Sequence, residues 1–160
     1  MEKSQIFVVD ASVAVKWYVK EALRDKALEM RSDFASGLLQ LEAPSLLAYE
    51  LGNALRYHPA STPAECAAAV KELGNLGIVM HELDESIAST AAALAFEEKL
   101  TFYDAVYIAL TQSLNATFVT ADEKLIERIS EENRSRIRSL ADYVHPPKAE
   151  DSSQHAFPDN

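Results

Sequence analysis

Cysteine is nearly missing from this sequence: Cys66 stands alone among 160 residues. One thiol cannot form an internal disulfide or a cysteine-based zinc site. It lies in the Ala-rich stretch Glu65-Cys66-Ala67-Ala68, and reads as a small buried or half-buried thiol suited to a reducing cytoplasm. Long apolar runs are missing too. None approaches the roughly 18 residues of a membrane span, and the polar opening Met1-Glu2-Lys3-Ser4-Gln5 lacks the pattern of a secretory signal. The four glycines, at 37, 52, 74 and 77, form no phosphate-cradling loop, no dinucleotide fingerprint and no nucleophile elbow. A phosphoaspartyl transferase would need an Asp two residues after Asp10, and Ser12 stands there. His58, His81, His145 and His155 show no metal-ligand spacing and read as surface or packing residues. Positive charge is scarce as well. Fifteen Lys and Arg against 25 Asp and Glu leave a net charge of −10. That argues against a broad basic surface for nucleic acid, though not against an enzyme that meets phosphate through bound cations.

What is present is a globular composition, 48% hydrophobic, of a length that fits one domain with a real core. Ile6-Phe7-Val8-Val9 is a continuous apolar run, as expected of a strand covered on both faces. Helices are predicted over 12–19 and 22–36, then a short strand at 41–43 closed by Pro44, and a helix over 45–57. Thr62-Pro63-Ala64-Glu65 combines an N-cap, a first-turn proline and a capping-box Glu. The helix that it opens ends near Gly74 and Gly77. A strand at 78–80 follows, then a helix over 85–99 capped by Asp84, and another from Thr101 to about Asn115. Strands at 117–120 and 137–140 flank a short helix opened by Asp122. Strands alternating with helices predict an α/β fold, a three-layer α/β/α sandwich around a mostly parallel sheet of about five strands. The domain is read as residues 1–145. Residues 146–160, which hold three of the six prolines, read as a polar, disordered tail.

In such a fold, ligands bind beyond the carboxyl ends of the strands. Asp10 follows the first strand and Asp122 the fourth. Each also has an ordinary role as a helix N-cap. Asp104 stands three residues after Thr101, at capping-box spacing. Glu50 is harder to explain locally. It lies mid-helix in Leu46-Leu47-Ala48-Tyr49-Glu50-Leu51, with Leu46 and Ala54 at pairing distance and no cation. It faces solvent or has a partner that the local sequence does not supply. Four carboxylates brought together would repel and resist ionisation unless a cation lay among them. All-oxygen ligation suits Mg²⁺ or Mn²⁺, and such a site supports phosphate hydrolysis. Ser12 and Thr120, two residues from Asp10 and Asp122, offer hydroxyls to a water or phosphate oxygen, or to turn bonding. Lys16, Arg56, Lys99 and Lys124 are candidate phosphate contacts or plain surface charges.

The segments Val8-Val9-Asp10-Ala11-Ser12, Glu50-Leu51-Gly52-Asn53, Asp104-Ala105-Val106-Tyr107-Ile108-Ala109 and Thr120-Ala121-Asp122 resemble the PIN-domain family, and within it the VapC-type toxins of toxin–antitoxin pairs. The resemblance covers about residues 5–143. It implies a five-stranded parallel sheet and a Mg²⁺- or Mn²⁺-dependent endoribonuclease acting on RNA in the cytoplasm. It also implies a homodimer held by a small antitoxin whose peptide enters near the acidic pocket. By position, Asp10, Glu50, Asp104 and Asp122 take the family's catalytic and metal-binding roles, and Ser12, Asn53 and Thr120 its accessory polar positions. For a dimer contact, Trp17-Tyr18 and the helix from Ala22 to Phe34 are candidate surfaces, with core packing an equal account. The rival reading is a non-catalytic module of the same fold, acting through a protein partner that its acidic pocket receives.

Overall fold

The structure, a computed structural model, describes residues 4–147. Five strands form one sheet: β1 (Gln5–Val9), β2 (Leu39–Pro44), β3 (Val79–His81), β4 (Thr117–Thr120) and β5 (Ile137–Ser139). Their order is β3-β2-β1-β4-β5, and every neighbouring pair is parallel. The helices are α1 (Ala11–Ala14), α2 (Arg24–Ala35), α3 (Leu46–Tyr57), α4 (Pro63–Asn75), α5 (Glu85–Glu97), α6 (Phe102–Ser113), α7 (Glu123–Arg128) and α8 (Glu131–Arg134). This is the three-layer α/β/α sandwich with five strands that the alternation predicts.

The period of two in β1 divides the core. Phe7 and Val9 point into one cluster, with Val13, Met30, Leu47 and Leu51 from the helices up to α4. Val8 points into the other, with Ile87, Leu94, Tyr107 and Leu125 from α5, α6 and α7. Both faces are covered, which is why this strand is apolar throughout. The chain winds from β1 to β2 and β3 on one side, then returns to place β4 and β5 on the other. The order therefore reverses between β1 and β4. Crevices at such a reversal, beyond the carboxyl strand ends, are where α/β sheets bind ligands.

Several elements differ from the sequence expectation. The helix after Asp10 keeps α geometry only to Ala14 and tightens to a 3₁₀ turn over Val15–Trp17. Leu23 adopts a left-handed φ of +63°, so α2 starts at Arg24 rather than at residue 22. Lys99, at φ +55°, closes the turn after α5, which ends at Glu97. The four-residue α8 and a 3₁₀ turn at Leu140–Asp142 are too short to leave a periodic signal. Trp17 and one face of α2 supply core, while Leu28 on the outer face of α2 is exposed. Trp17 is buried and its Nε1–H donates to the Ala27 carbonyl at 2.9 Å, with Ala27 and Met30 buried beneath. Cys66 is half-buried, with Sγ 3.5 Å from the Gly52 carbonyl.

The last described segment is fastened to α2. The buried Tyr143 hydroxyl donates to Asp33 Oδ2 at 2.6 Å, and Lys26 Nζ donates to the Tyr143 carbonyl at 2.8 Å. His145 pairs with Asp33 and Glu29. The polar tail expected from residue 146 lies outside the described residues, apart from 146 and 147. No helix among the described residues is long and apolar enough to cross a membrane.

Candidate active site

Asp10 sits where β1 passes into α1. It caps that helix, its Oδ1 accepting from the Ser12 backbone N–H at 3.1 Å. The Ser12 hydroxyl donates to the same oxygen, and the Thr120 hydroxyl donates to Oδ2 at 2.6 Å. The two hydroxyl oxygens also accept: Ser12 Oγ from Ala121 N–H at 2.9 Å, and Thr120 Oγ1 from Asp122 N–H at 3.1 Å. Each hydroxyl has one proton, and both protons go to Asp10. Their mutual 3.3 Å contact is therefore proximity and not a third hydrogen bond. This lattice stitches the end of β1 to the end of β4 across the reversal point. Ser12 and Thr120 act here by holding Asp10.

The other three acids come from helices. Asp122 is exposed and caps α7, accepting from Leu125 N–H at 3.2 Å. Asp104 is half of a capping box. Its backbone N–H donates to Thr101 Oγ1 at 3.1 Å, but its carboxylate does not return the bond to the Thr101 backbone, as Glu65 does to Thr62. Its half-buried carboxyl stays beside the Thr101 hydroxyl. Glu50 is half-buried in α3, and its Oε1 is enclosed without a hydrogen-bond partner. Asn53, one turn further on, is exposed.

Electrostatics ties these acids together. Burial pushes the Asp10 carboxyl up to about 6, against the pull of its Ser12 and Thr120 hydrogen bonds, and Asp104 adds repulsion. Burial likewise raises Glu50, opposed by the Tyr107 hydroxyl and reinforced by Asp10 and Asp104. Asp104 is raised by burial, lowered by the Thr101 hydroxyl, raised by Asp122 and lowered by Arg128. Each acid thus feels at least one other, as a gathered set must. Two residues in this network were not singled out from sequence. Tyr107 lies one turn past Asp104 in α6 and so shares its face; that spacing was the available signal. Its hydroxyl, buried and raised above its ordinary range, lies near Glu50 without a formed hydrogen bond. Arg128, at the end of α7, left no signal of its own. Of the predicted phosphate contacts, Lys16 is buried and paired with Glu21 at 3.1 Å, whereas Arg56, Lys99 and Lys124 are exposed.

Among the described residues no three Asp, Glu, His or Cys side chains stand close enough to enclose an ion by themselves. The set still fits a hard divalent cation. All its donors are oxygens, Glu50 Oε1 is buried and unpartnered, and burial together with neighbouring acids raises Asp10, Glu50 and Asp104. A small hard cation takes one or two carboxylates directly and keeps several of its waters, so it does not require a closed cage.

The comparisons with known proteins agree with this geometry. Residues 7–132 match the family model of the PIN domain. Ribonuclease VapC3 of Pyrobaculum aerophilum is 30% identical over 126 residues, covering 76% of this chain and 92% of that protein. The crystal structure of PAE2754 from the same organism superposes with a TM-score of 0.60 at 24% identity, covering 86% of this chain and 85% of the other. VapC20 of Mycobacterium tuberculosis, described as a Sarcin-Ricin loop cleaving toxin, superposes at 0.62 with 14% identity over 78% of this chain and 97% of its own. VapBC2 of Rickettsia felis, bound to a promoter DNA fragment, gives 0.64 at 14% identity over 84% and 98%. With the parallel sheet, the reversal point and the acids around it in place, this chain belongs to the PIN domain family.

Proposed function

We propose that this protein is a Mg²⁺- or Mn²⁺-dependent endoribonuclease, the toxin of a toxin–antitoxin pair. The observation that carries the reading is the set Asp10, Glu50, Asp104 and Asp122 gathered at the β1–β4 reversal. Support among relatives comes from the ribonuclease VapC3. The toxin–antitoxin complexes that share the fold support an antitoxin as partner, and the resemblance to VapC-type toxins implies a homodimer as the assembled unit.

These four acids would hold the cation, which when bound supplies positive charge beside the scissile phosphate and lowers the pKa of water there. The chain's own residues do the rest. Ser12 and Thr120 fix both carboxylate oxygens of Asp10, so the anchor does not reorganise during the reaction. Oε1 of Glu50 is buried without a hydrogen-bond partner, and the raised pKa of this carboxyl suits it to hold a proton from the attacking water. Arg128, at the edge of the cluster, meets charge on the phosphate.

Purified protein cleaves single-stranded RNA in the presence of Mn²⁺ and not with EDTA. Asp10→Asn lowers the rate by at least about 100-fold, the order expected for loss of one preorganised charge. Equal cleavage in both conditions, or full activity of Asp10→Asn, would refute the enzyme assignment and leave the non-catalytic module as the reading.

A further inference from the structure

A cavity of about 220 Å³ opens on the same edge of the sheet as the acids, on the β2–β3 side. Its walls are aromatic, with Tyr49 from α3 and Phe102 and Tyr103 from α6. Tyr49 directly precedes Glu50, and Tyr103 directly precedes Asp104. The same two helices therefore carry both the cavity wall and two of the acids. Tyr49 and Tyr103 are 79% and 60% exposed, unlike the other tyrosine of α6, Tyr107, which is buried. The lining also has a polar side at the ends of β2 and β3, made by Ser45, His81 and Glu82, with the Ser45 hydroxyl donating to Glu82 Oε2 at 3.0 Å. His81 Nε2 meets Glu42 Oε2 at 2.5 Å. Glu42 is buried on β2 beside Val8 of the central strand. A buried carboxylate in a sheet needs a partner, and this one fixes the imidazole by one nitrogen, leaving Nδ1 as its other polar atom.

Size, wall and charge together select an occupant. The volume is below the range of about 300–1,000 Å³ typical of sites for drug-sized ligands, which suits a single flat ring system. Aromatic walls with polar groups at one side suit a ring with a hydrogen-bonding edge. Single-stranded RNA presents such a ring at every nucleotide, and its unpaired bases are recognised by stacking on aromatic side chains and by bonds to their edges. A chain of net charge −10 draws little binding energy from phosphates, so contacts to bases must supply more of it. We propose that this cavity receives one unpaired base of the RNA beside the bond that is cut, stacked on Tyr49 and Tyr103 with its polar edge toward His81. The proposal rests on the ribonuclease reading.

The probe is a set of short single-stranded RNAs carrying one 2-aminopurine each, at successive positions. They are titrated with full-length Asp10→Asn protein, so that the RNA stays intact. Fluorescence is quenched at one position in the bound register. Tyr49→Leu and Tyr103→Leu, made in that background at exposed positions that the core does not need, each weaken binding by about 5- to 100-fold. Tyr103→Phe restores both affinity and quenching, and His81→Ala changes which base is preferred at that position. Three results would overturn the proposal: no binding, quenching equal at all positions, or quenching untouched by the tyrosine substitutions. So would substitutions that turn a dimer into a monomer in light scattering while RNA affinity stays the same, since the face would then belong to a second copy. Cleavage by the wild-type protein with Mn²⁺ is read separately. Its absence sinks the ribonuclease reading, while position-dependent quenching still decides the cavity.

Discussion

Ser12 and Thr120 each have one proton to give, and both give it to Asp10. Even so, burial holds this carboxyl up at about 6, whereas the unfolded chain ionises it near about 3.9. Between those values the folded protein keeps a proton that the unfolded chain has lost. Stability contributed by this group is therefore complete below pH of about 4 and is lost as pH rises through about 6, a change of about 3 kcal/mol. Urea denaturation of metal-free protein should show stability falling between pH 4.5 and pH 7, and falling less in Asp10→Asn. Added Mg²⁺ should recover the loss at pH 7. Thr120→Val keeps the shape of the side chain but leaves Asp10 Oδ2 and the Asp122 N–H without their partner. It should lower the unfolding free energy by about 1–3 kcal/mol, measured by the same titration. The cap at Asp10 and the turn bond at Thr120 were legible locally, but the bond between Thr120 and Asp10 was not, because they are 110 positions apart.

Among the elements, the α4 start is fully written in sequence. Thr62 Oγ1 accepts from Glu65 N–H at 3.2 Å, and Glu65 Oε2 accepts from Thr62 N–H at 2.8 Å. The box is local, so the residue types suffice to identify it. Thr62→Ala should cost about 0.5–2 kcal/mol, read as a lower urea midpoint with unchanged RNA cleavage. The α6 start looks similar in sequence but differs in use. Thr101 caps, yet the Asp104 carboxylate does not return the bond to the Thr101 backbone, and it repels Asp10 and Glu50 as well. A capping motif and a site residue share one spacing here, and only the packing of α6 on β1, β2 and β4 distinguishes them. The short α8 and the 3₁₀ turns escaped prediction because one turn of helix has no period to detect.

Across the whole molecule, the family match ends at residue 132, but the packed structure does not. Ile137, Leu140 and Tyr143 are buried, and Tyr143 and His145 hold the buried Asp33. We propose that the folded unit runs to residue 145. A chain cut after residue 132 should fail to melt cooperatively in circular dichroism, because a buried carboxylate left without its partners costs about 3–5 kcal/mol out of a total stability of about 5–15 kcal/mol. A chain cut after residue 147 should melt like the full chain. The sequence by itself determined the alternation of strands and helices, the covered central strand, the caps and the identity of the acids. These follow from periodicity and local hydrogen bonding, which act over a few residues. Tertiary structure alone decided that Glu50, mid-helix and without a local partner, feels the Tyr107 hydroxyl and the charges of Asp10 and Asp104. It also decided that the four acids form one neighbourhood. The reason is the strand order: placing β4 beside β1 brings residues more than a hundred positions apart to one edge, and no local pattern encodes that adjacency.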